Sequence, residues 1–137
     1  MGEVVEKFSI RKYQPLVDFD LLKKWGDNRG MQIGTPGFLP PTGIVVAYYS
    51  KPVCMGFMIR CDNGVAINSD FMSDPDVPKE LRNEAVECMR EKLYQLAKEQ
   101  GFRVVIAFTS IPKHVERLKE KGYIEMDKNL VHLGRIL

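Results

Sequence analysis

From Lys79 to Gln100 the apolar residues fall at Leu81, Ala85, Cys88, Met89, Leu93, Leu96 and Ala97. That spacing predicts one face of a long amphipathic helix, with Gly101 as its stop. Ahead of it, Val65-Ala66-Ile67-Asn68-Ser69-Asp70-Phe71-Met72 reads as a strand, and Ser73-Asp74-Pro75-Asp76-Val77-Pro78 is dense in turn formers. Behind it, Val104-Val105-Ile106-Ala107-Phe108 is a continuous apolar run, as a strand covered on both faces would be. Strand, crossover helix and strand make a βαβ unit, so Val65–Met72 and Val104–Phe108 are expected to be parallel neighbours. Ligands of such sheets bind beyond the carboxyl ends of the strands. A site is therefore expected between Met72–Arg82 on one side and Thr109–Arg117 on the other.

The remaining pattern places other elements around this unit. Phe8, Ile10 and Lys12 alternate with Ser9, Arg11 and Tyr13, predicting a first, half-buried strand that Pro15 interrupts. Asp18 is expected to cap a helix that turns Phe19, Leu22 and Trp25 inward and closes near Gly26. The stretch 27–42 is rich in glycine and proline without periodicity, and reads as a long loop. Gly43–Tyr49 and Val53–Arg60 read as a hairpin joined by Ser50-Lys51-Pro52, and Asp62-Asn63-Gly64 turns the chain into Val65–Met72. After Phe108, Thr109 or Ser110 is expected to cap a shorter helix over 111–121, with Val115 and Leu118 inward and Gly122 as its end. Tyr123–Met126 and Leu130–Ile136 read as two last strands around Asp127-Lys128-Asn129. The order is β-α-β-β-β-α-β-α-β-β, a mixed α/β sheet with helices on both faces, in one domain over 1–137.

Composition narrows the function classes. With 45% hydrophobic and 28% charged residues in 137, the chain is globular and large enough for one core. A net charge of +2 gives no global field for nucleic acid or a membrane surface. Cys54, Cys61 and Cys88 lack metal-ligand spacing, and Cys88 falls on the apolar helix face, so a reducing, cytoplasmic compartment is expected. No run is long enough to span a bilayer, the N-terminus lacks a signal-peptide core, and Glu6 stands where a myristoylation start needs Ser or Thr. Two histidines, His114 and His132, set far apart give no metal site. His132 fits a packed structural role, and the set Phe57, Phe71, Phe102 and Phe108 is expected in the core.

The element order, the ending Ala97-Lys98-Glu99-Gln100-Gly101 and the later Leu118-Lys119-Glu120-Lys121-Gly122-Tyr123 resemble the GNAT superfamily of N-acetyltransferases. More narrowly, Phe38-Leu39-Pro40-Pro41-Thr42-Gly43, Ser73-Asp74-Pro75 followed by Arg82, Phe108-Thr109-Ser110 and Asp127–Leu133 resemble the small divergent GNAT-like proteins of tailed phages. The resemblance spans nearly the whole chain. It implies a GNAT-like domain that uses acetyl-CoA as co-substrate to acylate an amine of a small molecule, a protein or a modified nucleotide, with a homodimer left open. It also implies host cytoplasm, or a virion, as the setting. The family's glycine-rich phosphate loop would fall at Leu81, Glu84 and Val86, where no glycine stands. Its fourth-helix tyrosine, a general acid, falls at Leu118, and its usual asparagine falls near Ile111.

Transfer of an acetyl group to an amine needs an anchor for the phosphates, a base for the amine proton and an acid for the thiolate. Lys79, Arg82 and Asn83 at one helix start, and Lys113 and Arg117 at the other, are the candidate anchors, where a phosphate would offset cations that oppose the helix dipole. Asp74, Asp76, Glu80 and Glu84 stand close by, and the bland alternative is that these charges neutralise one another. Phe71, Met72, Thr109 and Ser110 lie at the strand ends where the thioester arm would pass. Asp70, with Ser69, is the candidate base, against the alternative of a turn cap or a lysine partner; His114 is the candidate acid, with Tyr123 behind it. Three readings stay open: an acyl-CoA N-acetyltransferase, a GNAT-fold phage accessory protein without catalysis, and an unrelated α/β binding module.

Overall fold

The computed structural model describes residues 7–28, 39–109, 111–131 and 133–135, with backbone only for Ser69 and Asp70. Two compact units, Met1–Ala107 and Phe108–Leu137, make up the chain. The first holds β1 (Phe8–Lys12), α1 (Pro15–Asp27), β2 (Thr42–Tyr48), β3 (Lys51–Arg60), β4 (Val65–Ser73), α2 (Lys79–Glu99) and β5 (Val104–Ala107). The second holds α3 (Pro112–Glu120). The sheet runs β1-β2-β3-β4-β5, antiparallel through β4, and β5 joins β4 in parallel as the βαβ pattern requires.

Both faces of this sheet are covered, which explains why β2 and β3 read as unbroken apolar runs. On one face Ile44, Val46, Cys54, Met58 and Ala66 meet Ala85, Val86, Met89, Leu93 and Ala97 of α2. On the other, Val45, Met55, Phe57 and Met72 meet Tyr13, Leu22 and Trp25. A register shift after Val46 leaves Val53 as an extra residue, so Val53 and its neighbour Cys54 both join the α2 face. Gly56 lets the helix come close, because a Cβ there would collide with Met89 Sδ. Burial pushes the Cys54 thiol up to about 12, with nearby Cys88 adding to the shift, so this thiol is packing and not chemistry.

Helix α2 ends in a Schellman motif: Gly101, at φ 85°, donates its N–H to Lys98 O at 3.2 Å, and Phe102 donates to Ala97 O at 3.0 Å. Asp18 does not cap α1 from outside, as its sequence position suggested. It lies inside the helix, 2% exposed, and its carboxylate reaches back to accept the Gln14 N–H at 2.8 Å. Arg11 of β1 grips the same carboxylate through Nη1 at 2.7 Å and Nη2 at 2.6 Å. One buried carboxylate thus ties β1, the turn and α1 together.

Other expectations are corrected. The β2–β3 turn is the two-residue Tyr49-Ser50, both at positive φ, and Pro52 already stands in β3 opposite Ala47. Strand β5 is not covered on both faces: Val104 is exposed, as is Phe108 beyond it. Phe71 is also partly exposed, so of the four phenylalanines only Phe57 is fully buried. The two last strands are absent among the described residues, where 123–131 and 133–135 run without a ladder and Ile124, Met126, Leu130, Val131 and Leu133 are exposed. Strand propensity in a short run is realised only when a partner edge accepts its hydrogen bonds. Most of the glycine-rich loop, with Phe38 and His132, lies outside the described residues.

Leu93 sits at the centre of the α2 stripe and is 1% exposed, so Leu93→Ala is expected to cost about 2–5 kcal/mol. A urea midpoint equal to that of wild type would contradict that packing. The second expectation concerns acid. Burial pushes the Asp18 carboxyl up, but the Arg11 hydrogen bonds, the Gln14 N–H and the Arg11 charge together hold it below its ordinary value of 3.8. Its stabilising effect is therefore present above that value and is lost as pH falls through it toward the depressed folded value. Urea midpoints measured from neutral pH down to about pH 2 should fall more steeply in wild type than in Asp18→Asn.

Candidate functional site

The site is built where two parallel strands part. Strand β4 pairs with β3 along its whole length, but with β5 only from Val65 to Asn68, which stands opposite Ala107. From Ser69 to Ser73 the β5-side edge of β4 has no strand partner among the described residues. At the same place β4 bulges: Asp70 and Phe71 together oppose the single residue Gly56. A bulge re-aims side chains and main-chain groups beside a binding site. The Met72 side chain, by contrast, is buried against Met55 and Phe57, leaving only its backbone for contact with a ligand.

The loop from β4 into α2 is held from within. Asp74, 8% exposed, donates its N–H to Val53 O at 2.8 Å and accepts the Asp76 N–H on Oδ1 at 2.9 Å. Val77 donates to Asp74 O at 3.3 Å and buries its side chain in the α2 core. Helix α2 then starts at Lys79 behind Pro78, and no side chain caps it. Its first N–H groups and the positive end of its dipole are available to an anion. Lys79 is exposed there, and Arg82 and Asn83 are half-buried. Arg82 Nε, in the first turn of α2, is sealed from solvent and has no hydrogen-bond partner. One exposed aromatic completes this side: the Arg90 guanidinium lies 5.5 Å from the centre of the Phe71 ring.

In the second unit, α3 begins after Ile111, not after a capping hydroxyl. Thr109 contributes by accepting the Ile111 N–H on Oγ1 at 3.2 Å, one step ahead of the helix. No acidic residue stands in the first turn, Lys113 is exposed, and His114 and Arg117 are half-buried. Leu118 is buried. Gly122, at φ 96°, donates to Lys119 O at 3.0 Å, and half-buried Tyr123 donates its N–H to Leu118 O at 3.0 Å. That Schellman motif is what the Lys-Gly-Tyr ending encodes. Ser110 and the Ser69 and Asp70 side chains lie outside the described residues.

Three groups in the first unit escaped the reading of motifs. Asn68 carries a side-chain oxygen with no accessible surface and no partner. Tyr13 is 4% exposed, its ring 4.7 Å from Phe57, and its hydroxyl also lacks a partner. Burial first, and the Asp18 charge second, push that phenol up, so it stays neutral through physiological pH. Arg90, placed over Phe71, is the third. The available signal was an asparagine inside an apolar strand run, a residue type that strands disfavour.

No protein-family model matches this sequence, and none of the curated proteins compared with it matches either. Solved structures do match over nearly the whole chain. An aminoglycoside acetyltransferase, meta-AAC0020, from an uncultured soil metagenomic sample, solved with sisomicin, superposes with a TM-score of 0.65 at 13% identity, covering 96% of this chain and 97% of that one. Rv2747 from Mycobacterium tuberculosis, in complex with CoA, gives a TM-score of 0.71 at 16% identity over 90% of this chain and 76% of its own. A GNAT-family acetyltransferase from Staphylococcus aureus gives 0.65 at 15% identity, over 88% and 87%. The fold is that of the GNAT acetyltransferases.

Asp74 gives this site its testable support. Asp74→Ala removes the acceptor that closes the turn before α2 and is expected to destabilise by about 1–2 kcal/mol, while Asp74→Asn keeps the acceptor and most of the stability. Equal urea midpoints for the two variants would show that the turn does not depend on this side chain.

Proposed function

We propose that this chain is an acyl-CoA-dependent N-acetyltransferase, taking acetyl-CoA as co-substrate and an amine of a small molecule or protein as acceptor. The observation that carries this reading is the parting of β4 and β5 after Asn68 and Ala107, with a bulge at the opening and the uncapped start of α2 beyond it. An extended thioester arm can lie along the open edge of β4, and its phosphates suit the helix start. Arg82, half-buried in the first turn of α2, carries a guanidinium that suits a phosphate oxygen. Lys79, Asn83, Lys113, Arg117, Thr109 and Ser110 are assigned to the same anchoring role, with Phe71 and the Met72 backbone along the arm.

In the reaction the amine nitrogen attacks the thioester carbonyl carbon, the C–S bond breaks, and CoA leaves as a thiolate. Asp70 or Ser69 is assigned to take the amine proton, and His114 or Tyr123 to protonate the thiolate. Main-chain N–H groups at the β4 bulge would steady the oxyanion of the tetrahedral intermediate. The three free cysteines suit a reducing, cytoplasmic setting. A second reading, a GNAT-fold accessory protein of the tailed-phage kind without catalysis, is favoured by two observations. Leu118 is a buried leucine where the family places a tyrosine, and no glycine stands at Leu81, Glu84 or Val86.

Calorimetric titration with acetyl-CoA separates the two without a known acceptor. Binding by wild type supports the enzyme, and absence of binding supports the accessory protein. Arg82→Ala should weaken binding about ten- to a hundredfold, since a charge-assisted hydrogen bond contributes about 1.5–3 kcal/mol. Stability should change little, because the guanidinium gives up no partner of its own at Nε. Equal affinities would remove Arg82 from the site.

A further inference from the structure

We draw no further inference here: the strongest candidate, the aromatic surface patch of Phe8, Tyr48 and exposed Tyr49 at the β2–β3 hairpin, flanked by Lys7 and Lys51, carries nothing, because nothing in the structure shows what covers it.

Discussion

The seating of α2 on β2 and β3 is the constraint on which the first unit depends. Ala85, Met89, Leu93 and Ala97 occupy one stripe, and Gly56 gives the Met89 thioether the space it needs. Because α2 is the crossover between β4 and β5, seating that stripe delivers β5 to the free edge of β4 in parallel. It also stands the start of α2 beyond the carboxyl end of β4, where ligands of such sheets collect. Fold and site are therefore consequences of one packing event. The same event explains why the site sits at an edge and not in the middle of the sheet: β5 is short, and pairing runs out while β4 continues.

The opposite face follows a different logic. There Leu22 and Trp25 of α1 cover Val45, Met55 and Phe57, and the helix is aimed by a charge pair. Asp18 is almost wholly buried, yet two guanidinium N–H groups and a main-chain N–H satisfy its oxygens. A carboxylate so surrounded is held by hydrogen bonds that offset its desolvation. Tyr13 lies beside it with a neutral phenol whose hydroxyl has no partner. The unit thus contains a fully satisfied polar group next to unsatisfied ones. Natural interiors pair nearly all such atoms, and the exceptions in this unit are Tyr13, Asn68 and Arg82 among the described residues.

On the proposed reading, anion binding by this chain would differ from that of a glycine-rich loop. Glycines bring main-chain N–H groups against phosphates, whereas Leu81, Glu84 and Val86 cannot all do so. Here the loop before α2 is instead stiffened by Asp74, whose own carboxylate is occupied by Asp76 N–H. An acidic residue directed inward to its loop does not compete with a phosphate for the helix start. Lys79 and Arg82 are the cations of the first unit proposed for that task, with Glu80 in the same turn.

What the sequence determined by itself was the order of the elements through α3 and the buried stripe of α2. Helical spacing and paired turn signals are local, and burial on one stripe or on two faces is written directly into residue type. The βαβ geometry followed from chain connectivity alone, and the glycines at 101 and 122 announced their Schellman ends. Tertiary structure decided the rest. Whether 123–135 became strand depended on an edge to pair with, and the described residues there form none. Asp18 turned from a presumed cap into a buried hub because Arg11, seven residues away, reached it from β1. The place where β4 and β5 part is set by strand length: β5 ends at Ala107 while β4 runs on to Ser73, bulging opposite Gly56. No local pattern encodes where a partner strand stops, because that is a property of two segments meeting in space.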